Sequence, residues 1–176
     1  MDAKKSLNTK ILVLMALLVA LSFIGSHIKI FGTIAFDSLP GFLAALLLGP
    51  VYGAAIGFLG HLFTAMTSGF PLSLPLHIVI AVTMAITMFI YGYTYRLLKK
   101  KLSESSNLIL TGIIGVILNG PVSLAISITA LGFLAGWETA LGLLALLPAL
   151  ILAAIANITV SSIILKSLER VWNKII

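Results

Sequence analysis

Apolar residues run with few interruptions along most of this chain, and polar residues are confined to short breaks. The first apolar run extends from Ile11 to Ile24 or His27. A polar connector, "SHIKIFGTIAFDS", follows, and then an uncharged tract from Leu39 to Ile90. A helix crosses the hydrocarbon core of a bilayer in about 20 residues, so that tract holds more than one crossing. Gly49-Pro50 breaks it once, because proline removes a backbone donor and disfavours helix at the residue before it. "SGFPLSLP" at 68–75 breaks it again. The pattern therefore predicts a short span two over 39–48, span three over 51–67 and span four over 74–97. Beyond "RLLKKKLSESSN" it predicts span five over 108–134, interrupted at Asn119-Gly120-Pro121, and span six over 139–168, with Pro148 in its outer part. Span two is too short for an untilted crossing unless it starts near Thr33 or the bilayer thins around it.

Composition supports this pattern. Of 176 residues, 60% are hydrophobic and 9% charged, against about 25% charged in soluble domains. So few polar side chains cannot coat a water-facing surface, and residues 1–176 are expected to form a single integral membrane domain. The first apolar run is expected to be a retained span, because no small-x-small cleavage site with a polar segment follows it. The net charge of +6 could indicate nucleic acid, but its distribution points elsewhere. Lys4, Lys5 and Lys10 precede span one. Arg96, Lys99, Lys100 and Lys101 follow span four, and Lys166, Arg170 and Lys174 close the chain; only Lys29 stands apart. Basic clusters flanking apolar spans follow the positive-inside rule. The expected fold is an all-α membrane protein with six transmembrane helices, both termini cytoplasmic, and no nucleic-acid partner.

The stretch "HLFTAMTSGFPLSLPLH", from His61 to His77, is polar without formal charge between two apolar spans. In the predicted topology Asp37, His61 and His77 reach one outer level from three separate pieces of chain. Thr64, Ser68 and Phe70 lie in or beside the same bracket. Asn119 and Ser123 enter deeper, next to a proline that frees backbone carbonyls, and Asn157 is the polar amide of span six. Together they suggest a pocket for a small polar molecule. Each also has a plainer reading. Asp37 would cap the helix starting at Pro40, either histidine would bond a neighbouring helix, Asn119 and Asn157 would join helices, and Phe70 would pack the loop.

Several chemistries lack their residues. The chain has no cysteine, which removes disulfides, thiolate metal sites and cysteine nucleophiles. A Gly-x-Ser-Gly nucleophile setting and clustered aspartates are missing, so no catalytic residue, metal or cofactor is expected. No Gly-x-x-x-x-Gly-Lys-Ser/Thr sequence is present, so uphill transport would draw on a partner or an ion.

These features resemble the substrate-binding subunit, or S-component, of energy-coupling factor (ECF) vitamin transporters. The resemblance covers the size, the six spans and the basic first end followed by "LMALLVALSF", in which Ala16-x-x-x-Ala20 is similar to the family's alanine motif. It implies that Ala16 and Ala20 dock on a transmembrane scaffold subunit. The tract "FDSLPGFLAALLLGPVYGAAIGFLGHLFTAMTSGFPLSLPLH" is similar to the branch associated with cobalamin-precursor uptake, notably α-ribazole. The nickel and cobalt branch begins with a histidine-bearing segment, which Met1-Asp2-Ala3-Lys4 lacks. The resemblance implies a cell-membrane receptor whose outward pocket is closed by loops at about 28–38 and 66–74. Transport would need the scaffold and two ATPase subunits. The other readings are a self-sufficient small carrier or channel for a neutral solute, and a membrane enzyme or assembly factor. An inverted repeat would favour a carrier, and none is visible.

Overall fold

A computed structural model gives the fold of residues 9–30 and 34–175. Lys4, Lys5 and Thr33 lie outside the described residues, as do the side chains of Lys29, Arg170 and Lys174. The chain folds into α1 (Thr9–Gly25), β1 (Lys29–Ile30), β2 (Ile34–Ala35), a 3-10 turn (Phe36–Ser38), α2 (Leu39–Leu47), α3 (Pro50–Thr67) and α4 (Leu74–Leu98). Then come α5 (Glu104–Ile117), a π turn (Leu118–Val122), α6 (Ser123–Ala135), α7 (Trp137–Leu141), a 3-10 turn (Gly142–Leu146) and α8 (Leu147–Ile175).

The helix ends fall where local chemistry puts them. Gly49 turns the chain between α2 and α3 with φ of 122°, a conformation that L side chains rarely adopt. Arg96, near the end of α4, donates from Nη2 to the Leu48 carbonyl at 2.7 Å and so satisfies an orphan acceptor at the end of α2. At Asn119-Gly120-Pro121 the helix does not break. One π turn absorbs the proline, and α5 continues into α6 as one apolar helical unit, Glu104–Ala135. The connector after α1, which the sequence presents as merely polar, contains a two-residue antiparallel ladder, Lys29 opposite Ala35 and Ile30 opposite Ile34.

Among the described residues, three helical units are long and apolar enough to cross a membrane alone: Leu74–Leu98, Glu104–Ala135 and Trp137–Leu168. Helices α1 and α2 are apolar but shorter. The short span two has a structural explanation. Every residue of α2 from Pro40 to Leu46 is buried, and the helix packs against α1, α3, α4 and α8. Its ends meet protein rather than lipid, so its length need not match the bilayer.

Glycines set how closely the helices around α2 approach. A Cβ on Gly53 would lie 2.5 Å from Ala45 Cβ and 2.8 Å from its Cα, and one on Gly92 would lie 2.9 Å from the Ala45 carbonyl oxygen. The small-residue face Gly49, Gly53 and Gly57 thus packs within the chain, with Gly57 against Gly41 and Met88. Phe42 and Tyr91 fill the centre of this layer, edge to face at 4.9 Å between ring centroids. The outer faces carry exposed Leu17, Ile86, Phe133, Leu152 and Ile163, as suits contact with lipid.

Candidate functional site

The site begins with the backbone at Asp37. Gly25 ends α1 without a side chain, and a Cβ there would meet the Phe36 carbonyl oxygen at 2.5 Å. On the other side, a Cβ on Gly60 of α3 would lie 2.9 Å from the Asp37 carbonyl oxygen. Ser22 of α1 donates to that same carbonyl. Two glycines and one serine therefore hold the 3-10 turn between α1 and α3, which directs the Asp37 carboxylate toward α3. Thr64 donates to its Oδ2 at 2.5 Å and Ser38 to its Oδ1 at 3.2 Å. Asp37 is 4% exposed, and a buried carboxylate needs such donors to offset lost hydration.

The histidines are positioned by the turn between α3 and α4. Helix α3 ends in a Schellman motif: Phe70 N donates to the Ala65 carbonyl at 2.8 Å and Gly69 N to that of Met66 at 3.1 Å, with Gly69 at φ of 73°. Phe70 and Leu72 also take positive φ, 50° and 71°, which costs of order 1–3 kcal/mol each in the free chain. This turn presents the Pro71 carbonyl to His77 Nε2 at 2.9 Å. A carbonyl only accepts, so His77 carries its proton on Nε2. In a neutral ring Nδ1 then accepts from His61 Nε2, 3.1 Å away. Both nitrogens of His77 are thus engaged. Among the described residues, no hydrogen bond reaches His61 Nδ1, which keeps an open lone pair.

These groups border a cavity of about 150 Å³. Its polar side is made by Asp37, Ser38, His61 and His77, joined from across the bundle by Asn119, Ser123 and Ser127. The π turn buries Asn119 and starts α6 with Ser123 on the cavity face. Asn119 lines the cavity, and among the described residues no group bonds its amide. The apolar side is built by Leu76, Ile80 and Met84 of α4, Leu124 of α6, and Leu143, Leu146, Leu150 and Ala153 around the start of α8. Pro71 and Leu72 of the α3–α4 turn lie across its rim.

Five residues expected at a pocket, Asp37, His61, His77, Asn119 and Ser123, converge on this cavity. The others sit beside it. Thr64 supports the carboxylate from behind. Ser68 caps α3. Phe70 meets His77 edge to face at 6.0 Å. Asn157 lies one turn below Ala153 and donates to its carbonyl at 2.9 Å, which is a bond within its own helix. Ala16 and Ala20 fall on the exposed face of α1, between Leu12, Val13, Leu17 and Leu21. Sequence reasoning missed Ser38, Ser127 and the leucines. Ser127 stands four residues after Ser123, a spacing that shares a helix face and could have been read.

A family model described as "ECF transporter, substrate-specific component" matches residues 10–169. No curated protein and no solved structure matches the chain.

Proposed function

The chain belongs to the family of ECF transporter substrate-specific components, and from that premise we propose that it captures an uncharged vitamin or vitamin precursor, with α-ribazole the best match. The cavity is the observation that carries this reading. Among the described residues it has one carboxylate, no lysine or arginine, several neutral hydrogen-bonding groups and a wall of leucines. An anionic vitamin would need a cation there. A neutral ribosylated aromatic base would set its hydroxyls against Asp37, His61 Nδ1, Asn119 and Ser123, and its ring against Leu124, Leu146 and Leu150. Thr64 would hold Asp37 in place, while Ser68 and Phe70 would shape the rim. Asn157 would set the floor.

A member of this family works with an ECF module of scaffold and ATPase subunits. In our reading that module supplies two ATPases, and the Ala16–Ala20 face of α1 is the docking surface. Small side chains there would let a partner helix approach closely. By the positive-inside rule the basic clusters favour both termini on the cytoplasmic side of the cell membrane, and in our reading the cavity then faces the opposite side.

The test is to purify the chain without additives and identify any retained ultraviolet-absorbing compound by mass spectrometry, then titrate α-ribazole into the emptied protein. Vesicles holding this chain alone should bind the compound and not accumulate it. Accumulation by the chain alone would favour a self-sufficient carrier, and no affinity for any neutral vitamin would reject the receptor reading. His77→Ala should weaken binding by about 5- to 30-fold, the loss of one or two hydrogen bonds. Since His77 acts by holding Pro71 and His61, the loss should appear mainly as faster ligand release in stopped-flow measurements. Ala16→Leu should leave ligand affinity intact and abolish co-purification with the scaffold subunit. Undiminished co-purification would remove α1 as the docking face.

A further inference from the structure

A second concavity lies between α5 and α8, on the outside of the bundle, and its volume of about 530 Å³ exceeds that of the internal cavity. Its walls are Leu108, Ile109, Ile113 and Val116 of α5 and Ile155 and Ile158 of α8. Gly112 deepens it, because a Cβ there would find only Ile158 Cγ2, at 3.4 Å. Polar character is concentrated at one end, where Lys166 Nζ stands 3.5 Å from Ser105 Oγ. That end also carries Lys99, Lys100 and Lys101, on the turn that leads into α5. The nearby acid, Glu104, accepts from the Tyr95 hydroxyl at 2.7 Å.

We propose that this groove holds one acyl chain of an anionic phospholipid, with the lipid phosphate against Lys166 and Ser105. Length selects an acyl chain over a protein helix. From Ser105 to Ile117 the groove follows α5 for about 18 Å at 1.5 Å per residue. A single leaflet is about 15 Å deep and a crossing helix needs about 30 Å, so the groove matches half a bilayer. Charge selects the headgroup. The cation stands where the apolar walls end, at the level of a phosphate, and basic pockets between membrane helices take anionic headgroups. The groove is separate from the internal cavity and does not depend on what that cavity binds.

Native mass spectrometry of the full chain in detergent, with phosphatidylglycerol or phosphatidylcholine added, tests this. The wild type should retain one phosphatidylglycerol, in preference to phosphatidylcholine. Lys166→Gln changes an exposed side chain away from the internal cavity. It should reduce phosphatidylglycerol retention by about fivefold, the worth of one lysine near an anionic headgroup, and should reduce phosphatidylcholine retention less, because the choline ammonium already offsets that lipid's phosphate. Gly112→Leu, which fills the groove, should reduce retention of both lipids. Equal retention of the two lipids by the wild type, or no change on Lys166→Gln, would overturn the proposal. So would unchanged lipid retention in a folded Gly112→Leu that loses scaffold co-purification, an outcome that gives the groove to a protein helix.

Discussion

Asp37→Ala is expected to weaken ligand capture by about 30- to 150-fold, or roughly 2–3 kcal/mol, the largest loss of any single change in the cavity. Among the described residues the carboxylate is the only formal charge lining the cavity, and two hydroxyls point at it. Removing it deletes the acceptor proposed for the ligand and strands the Thr64 and Ser38 donors in a buried place. Asp37→Asn keeps the shape and one acceptor oxygen for Thr64, so it should recover part of the loss. Calorimetric titration of the three proteins checks this ordering. If Asp37→Ala binds as tightly as the wild type, the ligand does not use this cavity.

The second large effect concerns packing. Gly53→Ala should lower the melting temperature by about 2–12 °C, the range that follows from an overpacking cost of about 1–3 kcal/mol in a chain of this length. The added methyl would meet the Cβ, Cα and N of Ala45 within 3.0 Å, and backbone atoms cannot rotate aside. Gly142→Ala is the control, since nothing lies within 4 Å of a Cβ at that position. Thermal unfolding followed by size-exclusion chromatography should separate the two. Equal melting temperatures would mean that α2 and α3 have slack between them.

Most of the helix pattern was legible in the sequence because a membrane helix announces itself by length and its ends by proline and glycine. Gly49-Pro50 and the 68–75 break fall within a residue or two of the observed boundaries. The polar half of the cavity was legible for a related reason. Asp37, His61, His77, Asn119 and Ser123 are conspicuous among apolar neighbours, and an intramembrane polar residue has to face protein or a cavity. The apolar half was not legible. Leu146 and Leu150 face the cavity while Leu152 faces outward, and nothing in their composition tells these leucines apart. Asn157 shows the converse difficulty. It shares the helix face of Ala153, but its amide turns to its own backbone. The π turn was visible only as an interruption, since Asn119-Gly120-Pro121 does not itself say whether a helix stops or widens.

His77 serves two masters. One nitrogen anchors the strained turn through Pro71 and the other accepts a hydrogen bond from His61. A solute that claims either nitrogen must displace one of those ties, and a solute that spares both inherits a mouth already tethered. Because coupling between two such binding events is reciprocal, an outside contact whose affinity changes when the interior fills must change the interior's affinity by the same factor.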